Sequence, residues 1–124
     1  VTSRQFGPEL TAVREARTFA SECSTGLTRD QTSVLVLLVS ELATNCLKHS
    51  QSGFVVTIDV DDGWARVQVA DEGPGVPRLR RPRKDDVSGR GLLVVEALAD
   101  DWGVVRRGGG IGKTVWFSMS LTGQ

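Results

Sequence analysis

Apolar residues recur along this chain in two rhythms, one helical and one alternating. In "ELTAVREARTFASEC", residues 9 to 23, Leu10, Val13, Ala16 (or Arg17) and Ala20 fall at helical spacing and predict a first helix after Pro8. In "TRDQTSVLVLLVSELATNCLKHS", residues 28 to 50, a stripe of Val34, Leu35, Leu38, Leu42 and Cys46 predicts a second, with Thr28 or Asp30 as its N-cap. Arg4 to Phe6 reads as a short edge strand. "FVVTIDV" (54 to 60) and "WARVQVAD" (64 to 71) read as strands joined at Asp61-Asp62-Gly63, a hairpin signal. "LLVVEALAD" (92 to 100) is a third helical stretch. "WGVVRR" (102 to 107) and "KTVWFSMS" (113 to 120) predict a second hairpin. In the last strand Val115, Phe117 and Met119 lie on one side, with Thr114, Trp116 and Ser118 on the other. Only "EGPGVPRLRRPRKDDVSGRG", residues 72 to 91, lacks periodicity. Long structureless loops inside small domains tend to be functional lids or mobile segments.

Composition narrows the picture. A chain of 124 residues, 40% hydrophobic and 24% charged, is expected to fold as one soluble domain. Fifteen basic residues balance fifteen acidic ones, which argues against a general nucleic-acid binder. The longest apolar run, Val34 to Val39, is too short to span a bilayer, and no signal-peptide pattern opens the chain. Cys23 and Cys46 have neither metal spacing nor a disulfide framework around them. Reduced thiols in a cytoplasm are the simplest reading.

"GGGIGKTVWF" (108 to 117) ends its glycines in Gly-Lys-Thr, as a phosphate-binding P-loop does. The spacing fails, because the first glycine of that motif would fall on Arg107. The context fails too: a P-loop opens a helix, and a strand follows here. The segment is a glycine hairpin, and its Gly-Lys-Thr needs another explanation.

Four features carry candidate chemistry. Glu41 and Asn45, four residues apart, share one face of the second helix, with Lys48 and His49 following. "DEGPG", with Asp71, Gly73 and Gly75, ends a strand. "SGRGLLVV", with Gly89 and Gly91, opens a helix. The glycine hairpin ends in Thr114. Each alone has a bland reading: a solvated helix face, a turn, a helix entry, a hairpin. Lys48 and His49 fit a helix C-terminus, where positive charge suits the dipole. Arg78, Arg80, Arg81, Arg83 and Lys84 read by default as a solvated run, or as a lid or a surface for an acidic partner.

In this order the four features resemble the GHKL ATP-binding superfamily shared by gyrase, heat-shock chaperones, histidine kinases and mismatch-repair ATPases. "ELATNCLKH" is similar to its N box, "DEGPG" and "SGRGL" to its first two glycine boxes, and "GGGIGKT" to the third. Within it, "SGRGLLVVEALADDWGV…GKTVWF" looks most like the anti-sigma-factor serine kinases of Gram-positive bacteria, above all streptomycete-type stand-alone ATP-binding regulators. The resemblance implies an α/β (α+β) two-layer sandwich, a mixed, mostly antiparallel sheet with helices on one face, and an ATP lid at about residues 72–90.

It also implies roles. Asn45 would be the Mg2+ ligand, a neutral oxygen suited to a hard cation already facing a triphosphate. Glu41 would be the catalytic base. Asp71 would read adenine, since a carboxylate accepts from the exocyclic amine but opposes the carbonyl of guanine. Gly73 and Gly75 would let backbone approach the ligand. Gly89 and Gly91 would offer N–H groups to phosphate. Arg90 is a phosphate contact or a solvated side chain. Thr114 would lie near adenine. Where the better-known anti-sigma kinases imply a basic residue before the second glycine box, this chain has Val87 and Ser88.

The implied function is transfer of the ATP γ-phosphate to a serine on an anti-anti-sigma partner of the STAS type. The implied protein is a cytoplasmic homodimer that otherwise holds a sigma factor, without contacting nucleic acid or membrane. Two rivals remain. One is a non-catalytic nucleotide-dependent adaptor. The other is a detached histidine-kinase catalytic domain, disfavoured because the sole histidine, His49, lies inside the N box.

Overall fold

The computed structural model describes residues 1–49, 53–71, 90–106 and 112–122. Among the described residues eight elements follow in order: β1 (Thr2–Phe6), α1 (Thr11–Glu22), α2 (Arg29–His49), β2 (Phe54–Val60), β3 (Trp64–Asp71), α3 (Arg90–Leu98), β4 (Asp101–Arg106) and β5 (Lys113–Ser120). The five strands form one sheet in the order β1-β2-β3-β5-β4, and every pairing is antiparallel. The expected mostly antiparallel sheet is therefore wholly antiparallel among the described residues. β2 and β3 fall where the alternation placed them, and Asp61 N–H donates to Trp64 C=O at 2.8 Å to close their hairpin. β4 pairs with β5, but β5 also inserts beside β3, so the first and second hairpins share one sheet.

The strand alternation gives the sheet one buried face. Phe54, Val56 and Ile58 of β2, Ala65, Val67 and Val69 of β3, and Val115, Phe117 and Met119 of β5 are buried. Against them lie Leu35, Leu38, Val39, Leu42, Ala43 and Cys46 of α2, together with Val95 of α3. Val39 and Ala43 widen the expected stripe of α2, and Val34 is only half-buried. On α1 the buried face is Ala12, Ala16, Phe19 and Ala20. Leu10, expected to face inward, is 84% exposed. It precedes the helix, and the face is turned instead by Phe19, whose ring meets Phe6, itself stacked on Phe54 at 5.3 Å. The opposite sheet face carries Arg66 over the Trp116 ring at 4.7 Å. Gly103 lies beneath that indole: a Cβ there would sit 2.7 Å from Trp116 Nε1.

Two local devices set how the chain enters α2 and β2. Thr28 Oγ1 accepts from Gln31 N–H at 3.0 Å, and Gln31 Oε1 accepts from Thr28 N–H at 2.9 Å, a reciprocal capping box. This selects Thr28 over Asp30 as the cap. Gln31 Nε2 also donates to Leu121 C=O, tying the helix start to the chain beyond β5. Thr28→Ala should lower stability by about 1 kcal/mol, read as a reduced urea midpoint at unchanged slope. Gly53, at φ +96°, brings the chain into β2 with no room for a Cβ beside the Phe6 carbonyl.

Among the described residues no helix is long and apolar enough to cross a membrane.

Candidate functional site

Pleating decides which polar side chains reach the helix layer. Along β3, Ala65, Val67, Val69 and Asp71 share the buried face, so the strand's apolar row ends in a carboxylate. Asp71 is 4% exposed. On β5, Val115, Phe117 and Met119 share a face with Lys113. Ala70 pairs with Thr114, which sets Lys113 opposite Asp71 one step further along. Lys113 Nζ donates to Asp71 Oδ2 at 3.3 Å, and both side chains are largely buried.

Above this pair runs α2. Leu42, Asn45 and Cys46 form one wall of a crevice whose floor is Val69, Asp71, Lys113 and Val115. Among the described residues the lining is apolar except for an amide and one ion pair, a common composition for a small-molecule site. Its free space is about 10 Å3, the room of one water, so a larger ligand enters only as the surrounding side chains rearrange. Glu41 is half-buried, one helical turn before Asn45.

Cys46 lies deep in the wall, and its thiol is pushed up from an ordinary 9.0 to about 12. Burial is the main cause; the Asp71 carboxylate adds to it and Lys113 opposes it. Between these two values the unfolded chain has lost a proton that the folded chain keeps. Stability should therefore fall as pH rises above about 9, seen as declining urea midpoints, and Cys46→Ala should make that decline shallower.

Of the residues anticipated for the site, the structure brings Asn45 and Asp71 into one crevice, with Glu41 on the same helix. Arg90 and Gly91 begin α3, as a glycine-led helix entry predicts. Trp102 Nε1 donates to Glu96 Oε1 at 2.6 Å, so α3 doubles back over β4. Gly73, Gly75 and Gly89 lie outside the described residues. Thr114, expected near adenine, alternates with Lys113 and Val115 and faces the other side of the sheet, away from Asp71. Lys113 is the residue that meets Asp71. Its signal was present in the Gly-Lys-Thr, but only the pairing of β5 with β3 shows which of its residues meets Asp71. Among the described residues no group of three His, Cys, Asp or Glu could hold a metal ion.

Three likenesses bear on this geometry. A family model described as a histidine kinase-like ATPase domain matches residues 6–119. An uncharacterized protein of Streptomyces coelicolor, SCO4941, is 36% identical over 75 residues, covering 56% of this chain and 71% of that protein. The solved structure of the Acinetobacter baumannii histidine kinase AdeS covers 99% of this chain and 69% of its own, with a TM-score of 0.52 and 19% identity, a likeness of fold.

Proposed function

Because this chain belongs to the histidine kinase-like ATPase domain family, we propose that it is an ATP-binding anti-sigma factor that phosphorylates a serine on an anti-anti-sigma partner of the STAS type. The observation that carries the nucleotide half of this reading is Asp71: a buried carboxylate ending the apolar row of β3, in a crevice walled by Leu42, Val69 and Val115. A flat heteroaromatic base suits such walls, and a carboxylate acceptor suits an exocyclic amine. The donor set thus fits adenine in kind.

The kinase half rests on the motif resemblance and on α2. Asn45, an amide in the crevice wall, would hold Mg2+ together with phosphate oxygens. The metal, when bound, would draw charge off the phosphates. Glu41, one turn earlier, would take the proton from the attacking serine hydroxyl as its oxygen bonds to the γ-phosphorus and the bond to ADP breaks. The N–H groups at the start of α3, with Arg90 and Gly91, suit phosphate, and Gly73, Gly75 and Gly89 belong to the same proposed site. A homodimer, a sigma factor held in the resting state and a cytoplasmic location complete the proposal.

The test is incubation of the chain with γ-labelled ATP and a STAS-type partner. The reading expects label on a partner serine. ATP binding without transfer would sink the kinase and leave a nucleotide-dependent adaptor.

A further inference from the structure

Lys113 is absent from the roles drawn so far, yet it is the charged side chain that meets Asp71 across the strand pair. The inference rests on the reading of the crevice as the adenine site. We infer that Lys113 and Asp71 read the base as a couple, Asp71 accepting from the exocyclic amine and Lys113 donating to the neighbouring ring nitrogen N1.

The geometry supplies both halves. Strand register fixes the two residues opposite each other, since Ala70 pairs with Thr114, and both point into the crevice. Their charged atoms are 3.3 Å apart, so an acceptor and a donor stand side by side at the end of an apolar slot. Adenine's edge presents the complementary order, a donor amine next to an acceptor nitrogen. An ammonium has three N–H donors, so one can stay on Asp71 Oδ2 while another turns to N1. A carboxylate has about four lone-pair sites on its two oxygens, so it can accept from the amine as well as from other donors. Guanine reverses the sequence, with a carbonyl where adenine has the amine and an N–H at N1. The same couple then meets acceptor with acceptor and donor with donor, in a site where unpaired buried groups are heavily penalised.

A purely structural ion pair would make a different prediction. It would hold Asp71 in place and influence every nucleotide alike, whatever stands at ring position 1. The discriminating ligand is 1-deaza-ATP, in which N1 is replaced by C–H and the amine is kept. Calorimetric dissociation constants for ATP and 1-deaza-ATP are compared on the wild-type chain, Lys113→Met and Lys113→Thr, with folding checked by circular dichroism. The wild type should favour ATP by about tenfold, the scale of one charge-assisted hydrogen bond. In either variant that preference should vanish, because ATP loses affinity and 1-deaza-ATP does not lose it in proportion. The wild-type comparison needs no substitution and stands even if a variant misfolds. Equal binding of the two nucleotides by the wild type, or a preference kept in a folded variant, overturns the role of Lys113 alone. Failure of the wild type to bind ATP at all overturns the underlying nucleotide reading and the couple with it.

Discussion

Asp71→Asn should weaken ATP binding by about a hundredfold, near the upper end for loss of a hydrogen bond to a charged group. The carboxylate accepts only, whereas an amide offers an N–H2 that can turn toward the base amine and repel it. The same change removes the charge facing Lys113 Nζ across 3.3 Å. A largely buried ammonium without its counter-charge destabilises the fold, by about 3 kcal/mol or more. Two readouts therefore move together: the urea midpoint falls, and ATP affinity falls in protein that is still folded at the assay temperature. Discrimination against GTP should shrink as well, because asparagine no longer opposes the guanine carbonyl with two lone-pair-bearing oxygens. An Asp71→Asn chain that binds ATP as the wild type does would remove Asp71 from the site.

The second large effect concerns Glu41. On the proposed function, Glu41→Gln should lower the rate of phosphotransfer to the STAS partner by about 10²- to 10⁴-fold while leaving ATP affinity within a few-fold. Glutamine keeps the size and helix position of the side chain but cannot take up the hydroxyl proton. The split between rate and affinity is the informative part. Asn45 stands in the crevice wall itself, so Asn45→Ala should act instead on the magnesium dependence of binding. Equal loss of binding and transfer in Glu41→Gln would make Glu41 a structural or binding residue. Undiminished transfer would remove it from the chemistry.

How far residue order alone reaches can be judged element by element. The alternation of "FVVTIDV", "WARVQVAD" and "KTVWFSMS" marks β2, β3 and β5 at their exact bounds, because each turns one row of side chains into the core and leaves the other row more exposed. Helix α1 is less plain: alanines make up most of its buried face, and Phe19 takes its place through contact with Phe6, a residue thirteen positions away in another element. Asn45 and Asp71 can be picked out from motif order, yet nothing local shows that they share a crevice. That follows from α2 packing across β3. Lys113 escaped notice for a related reason. Its partner is set by the insertion of β5 between β3 and β4, a long-range choice of strand order that neither strand's own sequence carries. Thr114 is one residue from Lys113, which in a pleated strand turns its side chain to the opposite face of the sheet.

The most direct measurement is a calorimetric titration of the wild-type chain with ATP and with GTP, with and without magnesium. A crevice that reads adenine through Asp71 predicts a single ATP site, tighter with magnesium, and binding of GTP at least tenfold weaker. Equal affinity for the two nucleotides, or no binding of ATP at millimolar concentration, would contradict it.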